Sequence, residues 1–436
     1  MTRVITYGTY DLLHHGHIRL LERAKALGDY LIVGITADDF DKSRGKINVQ
    51  QSLMERIEAV KALNLADEII IEEYEGQKID DIRRLDVDIF TVGSDWIGQF
   101  DYLREYCQVV YLDRTQGVSS SEIRQEARGV RLGIIGDSLV INKYILESAY
   151  VNGITVEGVV TQTASVLELA KKKQIQVYES YNDLLSMVDA VYVISHPTQH
   201  FEHIKQAILA GKHVLCESPI ALTQSECHEL FELAKEKGLI LMDAIKTAYA
   251  TAYNRMLLLA KSGKIGRIVA IDATCTSLMS RKLREDDRPK LEWSSLSAWG
   301  PTALLPILQI LGIEYKDMRK TSFYSETDSN VDIFTKLDFV YDGAVATIKV
   351  AKGVKSEGEL IISGTQGYIY VPAPWWKMDY FELRYENQEE NKRYFYQLDG
   401  EGIRYELVAF AKSISLKRNE TYVSQSVSEG IAKLMA

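Results

Sequence analysis

Strand-sized apolar runs alternate with helix-length amphipathic runs from the first residue of this chain, and the alternation starts afresh near residue 130. Residues 3–7, 30–35, 68–71, 89–92 and 109–112 read as strands, and residues 18–27, 53–63 and 79–85 as helices. Strands separated by helices cannot pair through tight hairpins. Each must cross over, which predicts a doubly wound parallel sheet covered by helices on both faces. Arg128-Gly129-Val130-Arg131 marks a break, with a glycine ending the preceding helical run. A second strand–helix series follows, with strands at 132–135, 154–160, 190–194 and 213–216. From about residue 268 strand-like segments dominate (269–274, 332–339, 344–350, 359–363, 367–371), and an antiparallel or mixed sheet is expected there. The organisation expected is α/β, in three parts: residues 1–128, 131–250, and an α+β part over 251–436.

Composition narrows the function classes. The 436 residues exceed one ordinary core, and 46% apolar with 26% charged residues describes a soluble, globular chain. The longest apolar runs are strand-sized, so no membrane span is expected. The sequence enters its first strand directly, without a signal-peptide layout. Cys107, Cys216, Cys227 and Cys275 show no paired spacing and read as reduced thiols of a cytoplasmic protein. The 51 basic and 61 acidic side chains give a net charge of −10, which argues against a nucleic-acid polymer as partner. A small phosphorylated ligand needs only a local cluster of donors.

Such a cluster follows the first strand. In Gly8-Thr9-Tyr10-Asp11-Leu12-Leu13-His14-His15-Gly16-His17, Gly8 permits close backbone approach and the helix start offers free N–H groups to an anion. His14 and His17 are three apart and share a helix face, and Gly16 between them leaves room for a triphosphate. In nucleotidyl transfer, charge builds on departing pyrophosphate, and two imidazoles beside helix N–H groups suit its stabilisation. A second cluster, Arg114-Thr115-Gln116-Gly117-Val118-Ser119-Ser120-Ser121-Glu122, follows the strand at 109–112. Arg114 supplies a cationic fork, and Ser119 with Glu122 has capping-box spacing, expected to open a helix around 123–127.

These residues resemble the glycerol-3-phosphate cytidylyltransferase family over residues 1–128. The matching segments are Gly8 to Ile18, Glu55-Arg56, Gly93-Ser94-Asp95-Trp96 with Gly98 and Phe100-Asp101, and Arg114 to Ser119. The resemblance implies that Gly8, Thr9, Tyr10, Gly16, Asp95, Thr115, Gly117, Ser119 and Ser120 bind CTP, with Trp96 walling the pocket. It implies that His14, His17 and Arg114 act on the reacting phosphates, with Mg²⁺ accompanying the triphosphate. Lys42, Arg44 and Lys46, with Lys78 further on, are the candidates for holding a polyol phosphate. Glycerol 3-phosphate is the leading substrate, ribitol 5-phosphate and glycerol 2-phosphate the alternatives.

Residues 131–436 resemble the glucose–fructose oxidoreductase/inositol dehydrogenase (Gfo/Idh/MocA) family. The resemblance rests on Leu132-Gly133-Ile134-Ile135-Gly136, His196-Pro197-Thr198-Gln199-His200, Ala210 to Pro219, and Ser262-Gly263-Lys264-Ile265-Gly266. It implies a Rossmann domain followed by a mixed-sheet domain, an NAD or NADP cofactor and a homodimer. The dinucleotide fingerprint retains only Gly136, Asp137 brings a negative charge to the turn, and no acid follows the second strand. The family's catalytic lysine falls on Ser218. Its downstream acid and histidine fall near Ala298-Trp299-Gly300-Pro301-Thr302, which has neither. Gly136, Ser138, His200, Glu217, Lys246 and Tyr249 are the residues from which a second site would be built, Lys246 and Tyr249 as replacement acids. His196, His200, Glu202 and His203 suggest capping or cofactor-pocket roles, not a metal. The alternative is that this half is a non-catalytic binding or dimerisation module.

Overall fold

Strand β1 (Arg3–Gly8) buries four consecutive side chains, Val4 to Tyr7, which only a central strand covered on both faces can do. In the computed structural model it lies in the middle of a five-stranded parallel sheet. Its partners are β2 (Tyr30–Thr36), β3 (Glu68–Glu72), β4 (Ile89–Gly93) and β5 (Gln108–Leu112), in the order β3-β2-β1-β4-β5. The structure describes residues 1–37, 49, 51–73, 76–113, 129–151, 153–278, 293–325, 331–396, 398–419 and 421–435, except the side chains of Asp95 and Asp399. It divides into two compact units, 1–128 and 129–436.

Each face of the first sheet has its own core. One gathers Val4, Leu21, Leu31, Val33 and Val60; the other Ile5, Ile32, Ile82, Phe90 and Leu103. At ~1.5–3 kcal/mol for each fully buried aliphatic side chain, these two layers hold the sheet. The helix His15–Lys25 begins three residues earlier than its apolar periodicity suggests, because His14 serves as its N-cap. The helix Leu53–Ala62 starts at a capping box made by Ser52 and Glu55.

The second unit opens with a six-stranded parallel sheet: β6 (Val130–Ile135), β7 (Ile154–Val160), β8 (Gln176–Val177), β9 (Ala190–Val193), β10 (His213–Glu217) and β11 (Leu241–Ala244). Its order, β11-β10-β9-β6-β7-β8, again reverses at the first strand. The mixed sheet expected beyond residue 268 has eight strands: β12 (Ile268–Thr276), β13 (Asp317–Tyr324), β14 (Asp332–Val340), β15 (Val345–Ala351), β16 (Leu360–Gly364), β17 (Gly367–Val371), β18 (Tyr380–Tyr385) and β19 (Lys392–Phe395). Only β12 and β15 pair in parallel; the other neighbours are antiparallel.

A 17-residue helix, Ser295–Leu311, packs on β12, β14 and β15 although it contains Pro301 and Pro306. Each proline removes one helical hydrogen bond. Burial of Ala303, Leu304, Leu305, Ile307 and Leu308 offsets that loss. The Ser295 hydroxyl, which donates to the Asp332 carbonyl at 2.6 Å, fixes the helix start.

Candidate functional site

β1 ends at Gly8 and β4 at Gly93, and between these two strands the order of the first sheet reverses. A reversal leaves a crevice at the carboxyl ends of the strands, where open α/β sheets bind ligands. The chain leaves Gly8 through a turn in which Tyr10 and Leu12 have φ of 53° and 48°. Non-glycine residues hold such angles only when their surroundings fix them. The Tyr10 ring, 1% exposed, is the anchor, and a Cβ on Gly8 would lie 3.0 Å from it. Gly8 is therefore needed for packing as well as for access to the backbone.

Contacts from the next connection hold the turn. The Leu12 N–H donates to Gln51 Oε1 at 2.8 Å, and the Gln51 N–H donates to Asp11 Oδ1 at 3.0 Å. Arg56 is completely buried and donates to the carbonyls of Thr9 (2.6 Å), Thr36 (2.9 Å) and Gln51 (3.1 Å). One guanidinium thus ties the turn, the end of β2 and the start of the next helix together. Gln51 was not singled out in the sequence; its only signal was its place one residue before the Ser52 cap.

The structure brings His14 and His17 together. His14 Nδ1 accepts the Gly16 N–H at 3.1 Å, which places the His14 proton on Nε2. The two imidazoles stack with centroids 3.8 Å apart and planes 21° apart, and the Tyr10 ring meets His17 edge-on at 5.5 Å. Burial pushes the Tyr10 phenol well up, so the ring is a neutral wall. Two imidazoles at a helix N-terminus, where the helix dipole favours anions, are groups that can receive phosphate oxygens.

At the end of β1 lies a cavity of about 70 Å³ whose lining includes Gly8, Thr36, Glu72, Lys78, Trp96 and Phe100. Lys78 forms an ion pair with Glu72, and its ammonium sits 4.6 Å from the Tyr7 ring centroid and 5.5 Å from that of Phe100. The Tyr7 hydroxyl donates to Asp81 Oδ2 at 2.9 Å; burial raises its pKa well above the usual phenol range. Trp96 and Asp95 lie in the single turn Ser94–Trp96 that follows β4. Lys42, Arg44, Lys46, Arg114, Thr115, Gly117, Ser119, Ser120 and the helix expected at 123–127 lie outside the described residues.

In the second unit most of the residues considered for a further site are engaged within the fold, while Glu217 and Lys246 lie within electrostatic reach of each other. Gly136 is needed for packing: at φ 140° a Cβ would overlap the Ile194 carbonyl where β6 and β9 diverge. Ser138 Oγ accepts the Val140 N–H at 3.3 Å, capping the next helix, Val140–Ser148. Asp137 Oδ1 accepts the Gln162 N–H (2.6 Å) and the Thr161 hydroxyl (3.1 Å), tying the first turn to the end of β7. His200 is fully buried with its two nitrogens 2.7 and 2.8 Å from the carbonyls of Pro219 and Ser195, and burial lowers its pKa to about 4. His196 caps the helix Pro197–Leu209. The Tyr249 hydroxyl is buried, 2.8 Å from Thr421 Oγ1 and 3.2 Å from the Asp243 carbonyl. The Tyr192 hydroxyl donates to Glu217 at 2.5 Å, and burial raises the Glu217 carboxyl. Lys246 pairs instead with Glu401, at 3.5 Å.

A five-stranded parallel sheet with paired histidines at its switch point defines the first unit as a nucleotidyltransferase. Comparison with known proteins agrees: residues 5–126 match the model described as cytidylyltransferase-like, and residues 130–244 match the oxidoreductase family with an NAD-binding Rossmann fold. The chain therefore belongs to the glycerol-3-phosphate cytidylyltransferase family through its first unit, and its second unit is similar to oxidoreductases with an NAD-binding Rossmann fold. The glycerol-3-phosphate cytidylyltransferase of Bacillus spizizenii is 48% identical over 126 residues, covering 29% of this chain and 97% of that protein. The NADP⁺-dependent scyllo-inositol 2-dehydrogenase of Bacillus subtilis is 27% identical over 253 residues, covering 56% of this chain and 76% of that protein. A 3-ketoreductase from Actinomadura kijaniata, solved with NADP and TDP-benzene, shares the fold at a TM-score of 0.60 and 19% identity, over 70% of this chain and 96% of that one.

Proposed function

We propose that the first unit transfers CMP from CTP to a polyol phosphate, with glycerol 3-phosphate the leading substrate, releasing pyrophosphate. The observation that carries this reading is the stacked His14–His17 pair at the switch point of the sheet, where Gly8 at the end of β1 also lines the cavity that holds Lys78. The acceptor phosphate oxygen attacks the α-phosphorus of CTP and the bond to the β-phosphate breaks. The two imidazoles stabilise charge on the phosphates in flight. Among the described residues no side-chain cluster suits a metal; Mg²⁺ accompanying CTP would neutralise part of the triphosphate charge.

Lys78 orients the incoming phosphate, and Thr9, Tyr10 and Gly16 shape the nucleotide side. Release of pyrophosphate from CTP, measured with glycerol 3-phosphate, glycerol 2-phosphate and ribitol 5-phosphate in turn, tests the reading and selects the substrate. Loss of one donor of this kind costs about 10²–10³ in rate, so His17→Ala should be slowed by that factor; near-normal release would refute the role.

The second unit has the dinucleotide fold, but its residues do not fit hydride transfer. Ser218 provides no cation where the family has lysine, Tyr249 is committed to the interior, and Lys246 is drawn to Glu401. We therefore favour a binding role for this unit. Titration of the full chain with NADH and NADPH, followed by nicotinamide fluorescence, tests cofactor binding. Turnover of either with a keto or polyol compound would overturn the binding-only reading.

A further inference from the structure

Three lysines from separate elements of the second unit converge on one carboxylate. Lys143 lies on the helix Val140–Ser148, Lys246 on the turn after β11, and Lys377 directly after Trp375-Trp376. Their ammonium groups lie 2.7 Å, 3.5 Å and 2.7 Å from the carboxylate oxygens of Glu401. Partial burial acts to raise the Glu401 carboxyl. Hydrogen bonds from Lys143 and Lys377, with the charge of Lys246, overcome it and hold the pKa at about 2.

Three cations around one anion leave an excess of two positive charges. Burial raises the carboxyls of Glu217 and Glu406, the other acids whose charge reaches Lys246. The lysines and Glu401 are all between a quarter and a half exposed, so a solute can reach them.

The segment that delivers Glu401 is a built one. Gly400, Glu401 and Gly402 have φ of 56°, 55° and 92°, all left-handed. A Cβ on Gly402 would lie 3.0 Å from the Lys246 carbonyl, and one on Gly400 would overlap Glu147, which Arg404 holds at 2.5 Å. The protein thus keeps a non-glycine residue in a disfavoured conformation with its carboxylate among three lysines.

We propose that Lys143, Lys246 and Lys377 form a binding site for the phosphate group of a small polyol phosphate, which Glu401 occupies until that ligand displaces it. A phosphate dianion balances the two excess charges and offers an acceptor oxygen to each lysine. None of these residues belongs to the first unit, while the choice of a polyol phosphate as the ligand rests on the transferase reading.

The test is calorimetric titration of the full chain with glycerol 3-phosphate, inorganic phosphate and NADPH, without CTP. Glu401→Gln should tighten glycerol 3-phosphate binding in the second unit by roughly five- to tenfold, the worth of one partly exposed charge. Lys143→Gln with Lys377→Gln should abolish that binding. CTP-dependent pyrophosphate release should be unchanged in all variants, which separates failure here from failure of the transferase reading. Equal affinity in wild type and Glu401→Gln overturns the proposal. So does binding of NADPH alone, or of inorganic phosphate as tightly as the polyol phosphate. A collapse of the Glu401→Gln melting temperature also overturns it, because Glu401 would then be a structural hub.

Discussion

Arg56→Met should separate positioning from chemistry in the first unit. The side chain is fully buried and its guanidinium donates to three backbone carbonyls, those of Thr9, Thr36 and Gln51. Hydrogen bonds from a charged donor contribute about 1.5–3 kcal/mol each, so three amount to at least ~4.5 kcal/mol gross. Methionine restores the packing of the stem, and removing a buried cation recovers part of its desolvation cost. A net loss of ~3 kcal/mol is expected, a large share of the ~5–15 kcal/mol of an ordinary domain. The assay is CTP-dependent pyrophosphate release after equilibration in urea. With a urea slope of ~1–3 kcal/mol/M, the midpoint of activity loss should fall by about 1–3 M. KM for CTP should rise as well, because the Thr9 carbonyl belongs to the turn that presents His14. A midpoint within ~0.3 M of wild type, with kcat/KM unchanged, would refute the argument that Arg56 holds the turn.

Lys78→Met alone would leave Glu72 buried without its cation, a change that typically costs ~3–5 kcal/mol. The double variant Lys78→Met with Glu72→Gln should keep the fold and raise KM for the polyol phosphate about tenfold, with KM for CTP little altered; steady-state kinetics in both substrates reads the difference. In the second unit, burial raises the Asp243 carboxyl from 3.8 to about 7, against a 2.7 Å hydrogen bond from Ser428. The folded state therefore binds the proton more tightly than the unfolded chain. Stability from this group is fully present below pH ~4 and is lost as the pH rises through about 7. Asp243→Asn should flatten the fall in melting temperature of that unit between pH 5 and 8, and an unchanged slope would show that Asp243 does not titrate there.

The sheets were legible because their signals are local. β1 and β4 are short apolar runs ending in glycine, and the helix carrying His17 follows at fixed spacing. The helix Ser295–Leu311 was not legible, since Pro301 and Pro306 read as breaks and only burial against three strands overrides them. β13 and β19 escaped because their mostly exposed side chains leave little apolar alternation. The histidine pair could be read from H-x-x-H spacing. The Lys246–Glu401 contact, 155 residues apart in sequence, could not. Neither could Asp137 reaching across to the tip of β7, because sequence spacing does not record which turns the sheet brings together.

The central claim is that the first unit makes a CDP-polyol. Its most direct test is ³¹P NMR of the full chain incubated with CTP, Mg²⁺ and glycerol 3-phosphate. The account predicts stoichiometric loss of CTP with the appearance of pyrophosphate and a new diphosphate diester, and loss of both in the His14→Ala, His17→Ala double variant. CTP left intact with every polyol phosphate offered, or consumed equally by the double variant, would contradict it.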